Sequence, residues 1–310
     1  MSNLLRHLQT YVNWLSDSYR PNPTALGVLR IAFAAHVLLF PVDYTWVRRV
    51  PNALFTPPPG PIAVLDTIPS EWAILTLQIA QAALAVLVLV GIGTKITSTA
   101  LSIVLVVGNG IVFSFNKVDH TILYALLPLA LGFIGWGATL SVDRLIRHRV
   151  ARTDGFIVLL WGLTVAFAMF TAAYPKVLTG WLSPAREATR EFVVRDISDG
   201  VQVGLLAEFM TSLDIPFFWK FMDWATIFAE GWLILAVFFP PLFRIGLFIM
   251  AAFHVGVYLT LAIDYFSYLF VYAVFLFRRP STWFSGLPFA HRRRKRTDQL
   301  APVGSTFQTT

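Results

Sequence analysis

Residues 72–115 read WAILTLQIAQAALAVLVLVGIGTKITSTALSIVLVVGNGIVFSF, and Lys95 is the one charged residue among them. A hydrocarbon layer about 30 Å thick needs roughly 20 apolar residues in a helix. The stretch holds two such runs, 72–93 and 96–115, parted by glycines and Lys95. It reads as two membrane helices joined by a tight turn.

The same pattern recurs along the chain. Further apolar runs lie at 24–40, 121–140, 155–174, 221–239, 242–263 and 265–277, which makes about eight spans. The last run is short and shares a turn at Asp264 with its predecessor, so counts of seven or nine stay open. The fold class expected is all-α, a polytopic bundle of transmembrane helices. Composition agrees. Of 310 residues, 56% are apolar and 13% charged, about half the charged quarter of a soluble domain. Mean hydropathy is +0.67. A disordered chain is excluded and a water-soluble globule is not expected, because too little charged surface is present to cover so much apolar material. Cysteine is absent, which excludes disulfides, thiolate nucleophiles and Cys-ligated zinc or iron–sulfur clusters.

Residues 1–23 differ. Leu4, Leu5, Leu8, Tyr11, Val12 and Leu15 recur at helical spacing among polar residues. The segment is read as an amphipathic helix lying on the membrane surface and ended near Pro21 and Pro23. It lacks the apolar core of a signal peptide and carries Arg6, His7, Asp17 and Arg20. Residues 24–278 form the transmembrane domain. Residues 279–310 read as a basic, disordered cytoplasmic tail whose 292–296 run contacts anionic lipid.

Net charge is +7 and the isoelectric point about 9.9. The basic residues sit in short segments between apolar runs, so membrane lipids rather than nucleic acid are the expected partners. With eight spans and a cytoplasmic N-terminus, the inside segments hold Arg6, Arg20, Lys95, Arg144, Arg147, Arg149, Arg152, Arg244, Arg278, Arg279 and the five residues 292–296. That is 15 of the 24 basic residues. This bias places both termini in the cytoplasm of a cell-membrane protein.

Ionisable groups inside spans are costly and mark function by default. Arg30 can snorkel inward or pair with a buried acid. Asn109, between Gly108 and Gly110, can bond a neighbouring helix or face a site. His120 is a site residue or a wetted cap. Lys176 follows Pro175 at an outer boundary among apolar neighbours. It either snorkels to the headgroups or sits in a dry pocket, where desolvation favours the neutral amine, a usable base or nucleophile. Glu230 and His254 sit at similar depth on consecutive spans and are expected to pair. Apart from Arg30, these groups, with His36, Asp119, Asp223 and Asp264, all map to the middle or outer half. They predict a polar cavity opening outward or sideways, roofed by the 175–220 loop. There is no Gly-rich phosphate loop, no Gly-x-Ser-x-Gly elbow and no His-Glu-x-x-His, and the six histidines form no tight metal pair. No metal is expected.

Three motifs carry a resemblance. Leu26-Gly27-x-x-Arg30, Lys176-x4-Trp181-Leu182, and Phe253-His254 followed by the aromatic hairpin 263–277 resemble the HTTM domain. That is the transmembrane region of vitamin K-dependent γ-carboxylase and its bacterial relatives, and the resemblance covers residues 20–280. It implies that Lys176 matches the base that starts oxygenation of a hydroquinone, and that His254 matches the family's membrane histidine. The carboxylases carry a large β-rich lumenal domain that engages their protein substrate. This chain ends soon after its last span, so protein carboxylation is not expected. The family's acidic-Gly continuation also reads Ser183-Pro184 here. Two functions remain open. One is an enzyme acting on a quinol or other lipid-soluble small molecule. In it Lys176 is the base, His254 and Glu230 orient or relay the proton, and His36, Asn109, His120 and Trp181 bind substrate. The other is a non-catalytic lipid- or quinone-binding or assembly protein, with a DoxX-like subunit as a neighbouring reading. A transporter is the weaker third, since no inverted repeat is evident.

Overall fold

Apolar runs this long can satisfy their backbone only as helices, and the structure is built of them. A computed structural model describes residues 2–115, 118, 121–147 and 152–277. About 74% of the described residues are helical, and no strand occurs among them. The helices are α1 (Ser2–Tyr19), α2 (Pro23–Leu39), α3 (Glu71–Val90), α4 (Thr94–Phe113), α5 (Thr121–Ile134), α6 (Val142–Arg147) and α7 (Gly155–Leu178). They continue as α8 (Ala188–Ser198), α9 (Ala207–Thr211), α10 (Pro216–Gly231), α11 (Leu233–Ala236), α12 (Pro240–Leu261) and α13 (Tyr268–Leu276). The tail expected at 279–310 lies outside the described residues.

Helix ends follow local chemistry. Asn22 Oδ1 accepts from Thr24 N and Ala25 N, with Pro23 at the first helical position. Asp154 Oδ1 caps α7 through Phe156 N and Ile157 N. Asp143 caps α4 from a distance, accepting from Gly93 N, Thr94 N and Thr94 Oγ1 at 2.7–2.9 Å.

Four helices, α3, α4, α7 and α12, are long and apolar enough to cross a membrane. The other four expected spans come out shorter. α2 has 17 residues and meets α1 at a 58° bend. α5 stops at Ile134, where Gly135 takes φ +101° and turns the chain back. The 221–239 run breaks at Trp232 between α10 and α11. α13 has nine residues, about 14 Å of helix, half of the hydrocarbon thickness.

The outward faces are apolar. Trp72, Leu75, Ile79, Val86 and Val90 line the open side of α3, and Phe217, Phe221, Trp224 and Phe228 form a stripe on α10. Surface of this kind suits lipid and not water. The apolar helices are those of an integral membrane protein.

α13 is the opposite case. Tyr268, Val271, Tyr272, Val274 and Phe275 are all buried, and the helix touches α2, α5, α7 and α12. A helix apolar on every side is a core element.

Two buried arginines close one end of the bundle. Arg30 donates to the carbonyls of Trp136 and Thr139 at 3.2 Å and to that of Leu140. It thus meets the carbonyls beyond the end of α5, where the sequence offered lipid or an acid as its alternatives. Gly27, one turn earlier, is what lets the turn approach. A Cβ there would stand 2.7 Å from Thr139 Oγ1 and 3.0 Å from its carbonyl. The Leu-Gly-x-x-Arg motif is therefore a docking device for residues 136–140. Arg244 does the same for two other helix ends, donating to Phe275 O at 2.9 Å and Ser18 O at 2.6 Å.

α1 is bound to the bundle as well as amphipathic. Its Tyr11 and Tyr19 hydroxyls donate to Phe238 O and Val237 O, both at 2.7 Å, and Leu15 is buried. Leu4, Leu5 and Leu8 point away from the protein.

Candidate functional site

The site begins at the end of α7. Thr179 N and Trp181 N donate to Pro175 O and Lys176 O, and Gly180 N donates to Val177 O. Gly180 has φ +84°. This is the left-handed C-terminal motif in which the residue past the glycine folds back on the last turn. The Lys-x4-Trp spacing therefore has a geometric meaning. It lays the Trp181 ring over Lys176, with Nζ 5.5 Å from a ring centroid. Trp181 is buried and leans on Phe192 of α8 at 5.7 Å.

Lys176 Nζ reaches across to α10 and donates to Glu230 Oε1 at 2.6 Å and Oε2 at 2.5 Å. Ala173 and Gly231 let the two helices approach; a Cβ on Gly231 would make ordinary contact with Ala173 at 3.6 Å. The side chains of Lys176 and Glu230 are 23% and 8% exposed. The pair carries no net charge, which removes much of the penalty of placing either group in an apolar medium. The apolar pocket expected around Lys176 thus contains a carboxylate.

Glu230 was expected to meet His254. Both of its oxygens instead accept from Lys176. The His254 ring, on α12, lies in a cage of tyrosines. It stacks on Tyr265 at 4.2 Å and 9° and lies near parallel to Tyr272 at 6.0 Å, and Tyr268 meets it edge-on at 5.1 Å. Beside the cage is a cavity of about 130 Å³ lined by Ala251, His254, Val255, Tyr258, Tyr265, Phe266, Tyr268, Leu269 and Tyr272. Val255, Tyr258, Phe266 and Leu269 are also exposed, so the cavity opens sideways between α12 and α13.

Tyr272, which lines the cavity, also reaches α7. Its hydroxyl is 3.9 Å from Met169 Sδ, two turns before Lys176 on α7. The structure brings Lys176, Glu230 and Trp181 together and sets His254 in the tyrosine cage on α12.

His36 and Asn109 belong elsewhere. His36 Nδ1 is 2.7 Å from the Tyr124 hydroxyl, and its ring packs on Phe270 at 5.0 Å. Asn109 is buried on α4 beside Gly108, against which the Tyr44 ring lies. Its Nδ2 and the Tyr44 hydroxyl have no hydrogen-bond partner among the described residues. His36 meets α13 at Phe270, while Tyr268 and Tyr272 of the same helix face His254. His120 lies outside the described residues. No group of three potential metal ligands occurs among the described residues.

The 175–220 segment, expected as a roof, packs onto α10 and α12, and none of its residues lines the cavity beside His254. Asp223, fully buried on α10, accepts from Ala188 N at 3.1 Å, Thr189 N at 2.7 Å and Thr189 Oγ1 at 2.7 Å, so it caps α8. Lys220 Nζ donates to Asp223 Oδ2 at 2.7 Å and Trp181 O at 2.9 Å. Gly204 N and Leu206 N bond to Thr260 O and Leu259 O at the end of α12. The sequence reading missed Lys220 and the three cage tyrosines. The i, i+3 spacing of Lys220 and Asp223 was the available signal for the first, and the aromatic final hairpin for the others.

Comparison with protein-family models, with curated proteins and with solved structures returns no match.

Proposed function

We propose that this chain is an eight-crossing integral membrane protein of HTTM type that acts on a quinol or another lipid-soluble small molecule. The observation that supports this reading is the Lys176–Glu230 pair, held under Trp181 on α7 and α10, which pack against the helices α12 and α13 that wall a laterally open cavity with His254 and tyrosines. A substrate dissolved in the bilayer reaches such a cavity without crossing water. The amine and the carboxylate can exchange one proton at 2.5–2.6 Å with no change in net charge, so Lys176 can take a proton from substrate while Glu230 holds the balance. The motifs at Leu26-Gly27-x-x-Arg30, Lys176-x4-Trp181 and Phe253-His254 support the same family.

In this reading α2, α5, α10 with α11, and α13 complete the eight crossings. α1 lies in the cytoplasmic interface with Leu4, Leu5 and Leu8 in the acyl boundary, and both termini are cytoplasmic.

The test uses the full chain in liposomes with a reduced naphthoquinone and oxygen. Quinol consumption and product mass are followed for wild type, Lys176→Met and Glu230→Gln. Turnover lost in both variants supports the enzyme. Equal turnover in all three would end it.

One observation favours a second reading. Both Lys176 contacts are spent on Glu230, as in a structural pair joining two helices. A non-catalytic quinone- or lipid-binding protein then remains, and ligand retained by Lys176→Met without any turnover in wild type would identify it.

A further inference from the structure

Buried ion pairs are weak contributors to stability, and apolar replacements of similar volume often do as well. The second such pair, Lys220–Asp223, therefore calls for a reason. Both side chains are under a tenth exposed. Asp223 receives four hydrogen bonds, three of them from the first turn of α8, and Lys220 passes one bond to the backbone of Trp181. Trp181 covers Lys176, and Phe192 of α8 supports Trp181 from behind. Asp223 and Glu230 lie two turns apart on α10, both buried. One face of that helix thus holds α8 with its first carboxylate and the amine with its second.

We propose that Asp223 is a positioning residue for the Lys176 site: through Lys220 and the α8 N-terminus it fixes the Trp181 ring over the amine and sets how open that amine is. This rests on reading Lys176 as the reactive group, and it adds what controls access to it. The alternative source of order is the Gly180 turn, which also folds Trp181 back on α7. That turn positions the backbone of Trp181 from one side only. The carbonyl bond from Lys220 and the Phe192 contact approach from the other side.

The experiment is amine acylation of the full chain in liposomes, with the Lys176 rate read by peptide mass spectrometry and exposed Lys95 as internal reference. Trp181→Ala should raise the Lys176 rate several-fold. Asp223→Asn, which cannot accept the same set of bonds, should raise it to a similar degree. The double variant should be no faster than either single one, because both act by removing one cover. Lys95 should not change. Should Asp223→Asn fail to fold, Thr189→Val removes one of the Asp223 bonds with little change of shape and should give a smaller rise. Conservative restoration is read with Asp223→Glu, which should return part of the protection. A wild-type rate in Asp223→Asn or Thr189→Val beside a raised rate in Trp181→Ala overturns the proposal. So do independent, multiplying effects in the double variant, or a Lys176 rate that no variant moves. Labelling reads geometry alone, so its outcome is separable from the quinol assay.

Discussion

Lys176 Nζ stands 2.6 and 2.5 Å from the two oxygens of Glu230, across the contact between α7 and α10. The partners are 54 residues apart in sequence, and each is the other's described counter-charge. Removing one leaves a charge in an apolar setting, where it is far more expensive than in water.

Glu230→Ala should therefore destabilise by about 3–5 kcal/mol, and Glu230→Gln by less, because a hydrogen-bond acceptor remains. The double variant Lys176→Met, Glu230→Leu should be neutral or more stable than wild type. Denaturant unfolding in detergent reports all three. A Glu230→Ala variant as stable as the double one would show that the pair is not coupled.

Arg30 gives a second stability prediction. Its guanidinium serves three carbonyls in the 136–140 turn. A lysine presents a compact point charge and cannot reproduce that fan of donors. Arg30→Lys should lower the melting temperature nearly as much as Arg30→Met. Gly27→Ala should also destabilise, since its Cβ would be forced against Thr139 backbone and side chain. Thermal melts that rank Arg30→Lys with wild type would contradict this account.

Topology is tested by reporter fusions at Thr310 and within the loop between Arg186 and Asp199. The basic bias of the inside segments predicts opposite sides of the membrane. Fusions landing on one side would rule out eight crossings.

Outside the bundle, Asp43 supplies a pH effect. The backbone N–H and the hydroxyl of Thr45 both bond to its carboxylate and hold it below the usual range. Its folded value is depressed, so the stability it adds is present above the unfolded value near 3.9 and is lost as pH falls through the folded value. The effect is small because the group is exposed. Asp43→Asn should flatten this part of a stability-versus-pH curve below pH 4 and leave neutral pH almost unchanged.

The chemical shape of the site was only partly visible in the chain. Lys176, Glu230, Trp181 and His254 could be singled out because polar groups in apolar runs stand out. Their pairing could not. Depth along a helix can be counted from sequence, and depth suggested Glu230 with His254. Which face each helix turns to its neighbour depends on packing, and packing turned Glu230 toward α7. His36 and Asn109 looked like members of the same site, and packing sets His36 against Tyr124 and Phe270 and Asn109 beside Gly108 and Tyr44.

What the sequence alone decides about this protein is its solvent. With so many apolar residues in long unbroken runs and so few charges, the chain forms helices facing lipid, which satisfy their amides within each run, whereas barrel strands would need alternating residues. Local chemistry also shapes the turn at Gly180, whose positive φ brings the backbone of Trp181 back on α7, while the contacts that hold its ring over Lys176 come from α8 and α10. The tertiary structure decides the partners. Arg30 and Arg244 find helix-end carbonyls, Asp223 finds α8, and Glu230 finds Lys176, in each case across more than 30 residues of chain. A buried charge must be met by something, but only the packed arrangement of helices fixes which polar group comes within 3 Å of it.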